Sequence, residues 1–592
     1  MIVFRSYHRK KYTVILLLFL LMFMTLAGRL LYIMIYKAEY YDELATDLHE
    51  RERSIKAPRG IIYDRNGNVL ADNKAVCSIS VIHSQIEDSQ LVIDTLCDYL
   101  SLDADEVREK VEKNSSREII ATNIDKTVAD QIRTLDIAGI KVDEDYKRYY
   151  PYGSLASKVL GFTGADNQGI VGLEVEYDSV LSGVDGSINT LTDSSGIELS
   201  EMAETRVEPV AGNNLVTTID LNIQRYATQA AEKVLQEKDA NRVSIIIMNP
   251  QNGEIYAMVD VPEYDLNDPF NLEYVSATGY DMAKELLSKL SYKSDEDETS
   301  DKMDALNNMW RNFNISDTYE PGSIFKIVTA TAALETGAAD LDSTFYCPGY
   351  KIVEDRRIRC AKTTGHGSET FKEALLNSCN PAFMEIGAMT GVDNIYTYFD
   401  RLGLFSQTGI DLPGEANSIM HDKEDVGPVE LAVMSFGQSF QITPIQLITA
   451  AATVVNGGDR ITPHIGAYVT DADHNILETL EYDVEENVIE DETSAIMREL
   501  LQAVVDEGGG SRAQIEGYAI GGKTATSEKL PRGTGLYISA FLGFAPADNP
   551  QVMALVLIDE PEGVYYGGTI AAPVVKEIFE NILPYLGIRQ TE

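Results

Sequence analysis

Residues 13–28 read TVILLLFLLMFMTLAG, and after Arg29 the apolar pattern resumes as LLYIMIY, ending at Tyr36. No other feature restricts the fold so strongly. A bilayer interior has no water to bond backbone groups, so a single spanning segment must be helical, and about 20 apolar residues suffice. The run is long enough if Arg29 snorkels to the outer interface, where the Tyr and Met residues of LLYIMIY also belong. TLAG passes as a signal-peptide cleavage site, but the apolar pattern continues beyond it, which favours an uncleaved anchor. Residues 1–11 carry Arg5, Arg9, Lys10 and Lys11 and no acid. That basic end predicts a cytoplasmic tail over 1–11, a transmembrane anchor over 12–36 and an extracytoplasmic remainder.

The remainder is acidic. The 592-residue chain has a formal net charge of −44, which excludes a general nucleic-acid binder because phosphate contact needs a basic surface. With 44% hydrophobic residues the chain can bury proper cores in more than one domain. Five cysteines and seven histidines show no HExxH and no Cys/His cluster in sequence, so neither a metal nor a cofactor is expected.

Tyr40 to Arg53 reads as a polar helical stalk. Ala57 to Asn73, APRGIIYDRNGNVLADN, reads as a loop, a short strand, an Asn66-Gly67 turn and a return strand. Residues 85–150 alternate helix and strand patterns. Together 37–212 form an expected non-catalytic pedestal of mixed α/β structure. A second domain is expected over 213–592. Asp220 caps a helix whose apolar face is Ile223, Tyr226, Ala227, Ala230, Ala231, Val234 and Leu235. VSIIIMNPQNGEIYAMVD reads as a hairpin turning at Asn249 to Gly253. Residues 271–306 read as an irregular surface insertion, and its acid-rich 293–304 run as a solvated loop rather than a metal site. GYAIGGKTATS, YISAFLGFA and VMALVLIDE read as three more strands, and the closing APVVKEIFENILPYL as a helix. Five strands with hairpin connections predict an α+β domain, an antiparallel sheet flanked by helices.

Three short stretches in this domain carry chemistry. YEPGSIFK sets Ser323 three residues before Lys326, one helical turn apart; LLNSCNPAF sets Ser378 and Asn380 before a helix start at Pro381; GGKTATS sets Lys523 and Thr524 on a strand. A serine hydroxyl is a poor nucleophile until a base takes its proton. Lys326 can be that base only if neutral, which requires burial and nearby positive charge, and Lys523 can supply the charge. The backbone N–H of Ser323, at a helix start, can face a developing oxyanion. His366 in TGHGSE could act as a base but reads more simply as a turn residue.

The ordered triple Ser-x-x-Lys, Ser-x-Asn, Lys-Thr-small resembles the penicillin-recognising serine acyltransferases. RGIIYDRNG, KRYYPYGSLASKVLGFTG, GLEVEYDSVLSG, TTIDLNIQ, SFGQSFQITPIQ and YYGGTIAAPVVKEI extend the resemblance over nearly the whole chain after the anchor. They are similar to class B penicillin-binding proteins, most of all their spore and septal members. The resemblance implies a single-pass anchor, an elongated dimerisation-type pedestal and a transpeptidase domain, with no glycosyltransferase domain. It implies a serine D,D-transpeptidase that crosslinks peptidoglycan stem peptides through an acyl-enzyme and is acylated by β-lactams. Ser323 would be the nucleophile, Lys326 its base, Ser378 the proton relay and Asn380 the amide holder. Lys523 and Thr524 would hold the terminal carboxylate, with Ala525 and Thr526 completing the substrate strand. The N–H groups of Ser323 and Thr526 would form the oxyanion hole. A polytopic glycosyltransferase of the shape-elongation-division family is the implied partner.

One position departs from the family pattern: Ala525 stands where glycine is usual, and its methyl could crowd the strand edge and slow β-lactam acylation. A related hydrolase (carboxypeptidase or β-lactamase) and a weakly catalytic scaffold remain as alternatives. Cys347, Cys360 and Cys379 fall close together on an oxidising exterior. Each could be a small buried hydrophobe, a hairpin over CPGYKIVEDRRIRC could pair Cys347 with Cys360, or Cys360 could bridge to Cys379 and make the enzyme sensitive to reductants.

Overall fold

The computed structural model describes residues 3–38, 40–41, 50–113, 117–191, 205–272 and 295–590. Helix Val3–Leu31 continues as a π-helical turn, Tyr32–Tyr36. Its apolar side chains are exposed along the described length, Phe23 by 76% and Tyr36 by 77%. A single-pass membrane anchor gives such a surface an apolar environment. The expected helical stalk over Tyr40 to Arg53 is not what the described part shows. Residues 42–49 lie outside the described ones, and Glu50–Ile55 is a strand. It pairs antiparallel with Gly186–Leu191, Ile55 opposite Gly186, so backbone pairing overrides the local helical pattern.

The chain divides into two compact units. The first comprises Met1–Pro58, Lys74–Lys147 and Val184–Val210. In it, helices Ser89–Leu100, Ala104–Glu112 and Lys126–Thr134 start at Asp88, Asp103 and Asp125, whose carboxylates accept backbone N–H bonds of the first turn. Val92, Leu96, Val107, Val111 and Ile132 pack with Ile79, Val81 and Ile120 of the adjoining strands.

The second unit comprises Arg59–Asn73, Arg148–Gly183 and Ala211–Glu592. Two of the segments read as pedestal therefore cluster with the C-terminal residues. Their motifs meet around a buried charge cluster. Arg59 Nε donates to Glu174 Oε2 at 3.0 Å and its Nη1 to Asp178 Oδ1 at 2.7 Å, while Arg148 Nε donates to Glu174 Oε1 at 2.6 Å. Both arginines and Glu174 are buried, so each depends on the others for solvation.

The same unit contains the expected five-stranded antiparallel sheet, in the order Ile255–Val261, Arg242–Met248, Val552–Asp559, Tyr537–Ala545, Gly521–Glu528. Its inner strands are apolar on both faces because both are covered. Ile245, Ile247, Phe541 and Val556 face helices Leu221–Lys238 and Ala572–Tyr585 through Ala227, Val234, Val575 and Phe579. Ile246, Met248, Leu542 and Leu555 face the other core, with Phe325, Ile327, Leu447 and Leu501. Asp220 caps its helix as the sequence predicts, with Oδ1 accepting from the N–H groups of Asn222 and Ile223. Tyr226, placed on that helix's apolar face, is instead 39% exposed.

Asp295–Trp310 is a helix where composition predicts irregular chain, and residues 273–294 lie outside the described ones. Ala305, Leu306, Met309 and Trp310 form a buried face, and Trp310 Nε1 donates to Pro269 O at 2.7 Å. That short apolar face, masked by its acidic flank, anchors the helix.

Candidate active site

The Ser323 turn is set by two close backbone approaches. Tyr319 and Ile442 exchange N–H···O bonds of 3.0 and 3.1 Å, and Gly322 N donates to Gly437 O at 2.9 Å. Gly322 has φ +57, and a Cβ there would lie 2.2 Å from Ser527 Oγ, so the turn passes over the Gly521–Glu528 strand only as glycine. Gly437, from SFGQSFQ, has φ +86, and its own Cβ would meet Gly322 O at 2.1 Å. The expected helix from Ser323 begins as a 3-10 turn, Gly322–Phe325, and becomes α-helical at Lys326–Glu335. That helix is buried nearly all round, which places Lys326 inside the protein.

Lys326 is fully buried. Its Nζ lies 2.7 Å from Ser378 O and 2.8 Å from Asn380 Oδ1, two atoms that only accept. It also lies 3.1 Å from Ser323 Oγ and 3.1 Å from Ser378 Oγ. A neutral amine has two N–H donors and one lone pair. The two acceptors use the donors, and the lone pair is left for a serine hydroxyl. Burial lowers the Lys326 pKa to about 7, against the opposing pull of Cys360, Cys379 and Glu369. Lys523, also fully buried, lies 2.9 Å from Ser378 Oγ. Burial, and then the charge of Lys326, hold its pKa well below the usual lysine value. Ser378 Oγ thus bridges two amines.

Ser378 adopts φ 52 between helix Phe371–Leu376 and helix Asn380–Arg401, which has proline in its first turn. Asn380 is the first helical residue rather than a loop residue, and its Nδ2 donates to Arg359 O at 3.3 Å. On the strand, Lys523 and Ala525 are buried while Thr524 and Thr526 are half-exposed, as alternation requires. Thr526 Oγ1 accepts from Gly567 N–H at 3.0 Å. Ala525 is 3% exposed, and a Cβ built on Gly322 would lie 3.5 Å from its methyl. The methyl therefore packs under the Ser323 turn and does not stand on an open strand edge, the position from which crowding of substrate was expected.

Ser323, Lys326, Ser378, Asn380 and Lys523 are thus within one hydrogen-bond network. Sequence reasoning gave Gly437 no role of its own, although SFGQSFQITPIQ contains it; the residue lies in the turn after helix Pro428–Met434. Sequence reasoning also missed a cluster. Cys347, Cys360, His366 and Cys379 bring three sulfurs and a ring nitrogen within 4.8 Å of one another, although the sequence shows no Cys/His motif. The wide spacing hides it, because a hairpin and a helix start are needed to fold the four together. All five cysteines carry free thiols.

A serine beside a buried lysine of lowered pKa, a second lysine at a sheet edge and this helix-flanked sheet define a penicillin-binding serine acyltransferase. The chain belongs to the penicillin-binding proteins, of the class B kind. Residues 243–580 match the penicillin-binding protein transpeptidase domain, and residues 54–217 match the penicillin-binding protein dimerisation domain. The chain is 35% identical to stage V sporulation protein D of Bacillus subtilis (strain 168) over 590 residues, 98% of this chain and 86% of that protein. It is 26% identical to the probable peptidoglycan D,D-transpeptidase PenA of Neisseria gonorrhoeae, covering 96% and 92% of the two chains. In fold it is similar to penicillin-binding protein 2X of Streptococcus thermophilus, with a TM-score of 0.71 at 21% identity over 92% of this chain and 83% of that one.

Proposed function

We propose that the site is a serine D,D-transpeptidase that crosslinks peptidoglycan stem peptides, with the following roles. Ser323 Oγ attacks the penultimate carbonyl of a D-Ala-D-Ala stem while Lys326 takes its proton. The tetrahedral oxyanion is held by the N–H groups of Ser323 and Thr526. The C–N bond breaks, and Ser378 passes a proton from the lysine to the departing D-Ala amine. An amine of a second stem then displaces Ser323, which regains its proton. Lys523 and Thr524 hold the terminal carboxylate, and Asn380 holds the peptide amide. An arriving carboxylate favours the protonated form of Lys523, and that charge keeps Lys326 neutral. β-Lactams acylate Ser323 by the same path.

The single observation behind these roles is that Ser378 O and Asn380 Oδ1 take the two donors that a neutral Lys326 has, which leaves its lone pair for serine. The test is labelling of the full chain with a fluorescent penicillin, followed by digestion and location of the adduct. The adduct is expected on Ser323. Label on another residue, or undiminished labelling of Ser323→Ala, refutes the assignment. Incubation with stem peptide separates transpeptidase from hydrolase: D-Ala release without crosslinked product would mean that water resolves the acyl-enzyme.

The setting is part of the proposal. Residues 1–11 stay in the cytoplasm, the catalytic unit lies outside, and the partner is a polytopic shape-elongation-division glycosyltransferase. The likeness to stage V sporulation protein D supports a place in spore or septal wall synthesis. A cysteine at exposed Asp473 should react with an impermeant thiol reagent on intact cells. Protection there would reverse the topology. Co-purification of the full chain with such a glycosyltransferase is expected, and its absence from crosslinked membranes would remove the partner.

A further inference from the structure

The acyl-transfer chemistry leaves four side chains beside the Ser378 turn without a task. Cys347 ends strand Thr344–Cys347, and Cys360 follows the hairpin Tyr350–Val353 with Arg356–Arg359. His366 precedes strand Gly367–Thr370, and Cys379 is the residue before helix Asn380–Arg401, where its side chain caps no backbone N–H. The three cysteines are 0–2% exposed. Their sulfurs and the His366 nitrogen lie within 4.8 Å of one another, and Cys360 Sγ is 3.7 Å from His366 Nδ1. Tetrahedral zinc with three thiolates and one imidazole has ligand–ligand edges of about 3.5–3.8 Å, from Zn–S and Zn–N bond lengths. The four atoms are within about 1 Å of that geometry without rearranging the backbone. A disulfide would use two of the three sulfurs and leave the third and the histidine unexplained.

The surrounding backbone is built to hold the four together. Gly349 at φ +94 and Gly365 at φ +81 let two turns meet, since a Cβ on either would fall 2.1 Å from Thr363 O or 2.4 Å from Cys347 O. Cys360 N–H closes the hairpin base onto Gly349 O at 2.9 Å. Independently, Glu369 is buried, with Oε1 accepting from Asn377 Nδ2 at 2.8 Å and Oε2 lacking a hydrogen-bond partner. That orphaned oxygen lies 3.8 Å from His366 Nδ1. A buried carboxylate oxygen is costly without a donor; with the metal on Nε2 the ring keeps its proton on Nδ1, the nitrogen that faces Glu369.

We propose that Cys347, Cys360, His366 and Cys379 bind one Zn²⁺ ion that fixes the Ser378–Asn380 turn of the active site. Thiolates with one imidazole select zinc over magnesium or calcium. Four protein ligands close the coordination sphere, so the ion is structural and holds no reactive water. Binding deprotonates the three thiols and releases their protons to solvent. Cys379 stands between Ser378 and Asn380, whose side chains both reach Lys326. Pinning its sulfur holds Ser378 in its left-handed conformation and keeps its Oγ between the two lysines.

Metal analysis of the full chain, purified in detergent without chelator from cells supplied with zinc, tests the site. About one zinc per chain is expected. Replacement by Co²⁺ should give the thiolate-to-cobalt charge-transfer and visible bands of a tetrahedral sulfur-rich site. His366→Ala and Cys347→Ser should lose zinc, Glu369→Gln should weaken it about tenfold, and Cys97→Ser, outside the cluster, should keep it. Because the cysteine variant could misfold, wild-type protein is also stripped with a chelator: penicillin acylation should fall and return with zinc but not with magnesium. Substoichiometric zinc, full zinc in the His366→Ala Cys347→Ser double variant, or a Cys360–Cys379 disulfide in protein alkylated at harvest would each overturn the proposal. Metal content is read without reference to acylation, so failure of the acyl-transfer assignment and failure of the zinc site are separate results.

Discussion

The most exposed part of the mechanism is the protonation of Lys326. An ordinary lysine with pKa near 10.4 has only about 1 in 2,500 of its amines neutral at pH 7. The pKa of about 7 makes roughly half of them neutral at that pH, a gain of about three orders of magnitude in available base. Expressed as free energy, the shift is about 5 kcal/mol of discrimination against the charged form, and it comes from complete burial. The sign is definite. The base is present above the pKa and is lost as pH falls through it. Below saturation, the second-order acylation rate constant, which reports the free enzyme, should therefore be flat above about pH 7 and fall about tenfold for each unit below. Stopped-flow acylation of the full chain from pH 5 to 9, with stability checked in parallel, reads this directly. Lys326→Arg keeps the positive charge and cannot give up its proton, so its acylation should fall by about three orders of magnitude or more at every pH. A rate independent of pH across 7, or an arginine variant that acylates normally, would refute the reasoning. The same shift predicts a stability effect. Between about pH 7 and the unfolded value the unfolded chain binds the extra proton, so folding stability should rise with pH in that window.

Three further perturbations have defined outcomes. Gly322→Ala places a Cβ 2.2 Å from Ser527 Oγ at φ +57; acylation should fall about a hundredfold while the fold survives, and Ser527→Ala should restore part of it, whereas a fully active Gly322→Ala would mean that the turn is not held against the strand. Arg59→Ala leaves Glu174 buried without its 3.0 Å partner; thermal or denaturant unfolding should show a loss of about 3–5 kcal/mol, and a change below 1 kcal/mol would show that water replaces the guanidinium. Ala525→Gly removes a methyl packed against the Ser323 turn; stability should drop by about 1 kcal/mol with no faster acylation by a bulky cephalosporin, and a several-fold faster rate would restore the crowding explanation.

The parts of the site that were legible in the sequence are those whose geometry is set locally. Ser323 and Lys326 are one turn apart, Ser378 and Asn380 flank a helix start, and Lys523 lies on a strand whose alternation fixes its face. These relations follow from helical and strand periods, without knowledge of the tertiary fold. The stalk reading of Tyr40 to Arg53 fails over Glu50 to Arg53 because Glu50–Ile55 is a strand only through its partner, Gly186–Leu191. Arg59 and Glu174 could be read as motif residues but not as a pair, since 115 positions separate them. Cys379 illustrates the boundary most sharply. In Ser-x-Asn the middle residue is a spacer by sequence logic, because its side chain must point away from the two that face substrate. In the fold, that opposite direction leads to Cys360, Cys347 and His366. The residue that a local motif leaves unspecified is thus the one free to couple the turn to its surroundings. A thiol there, among two more thiols and an imidazole, gives the chain a means of holding Ser378 that the acyl-transfer motif alone does not encode.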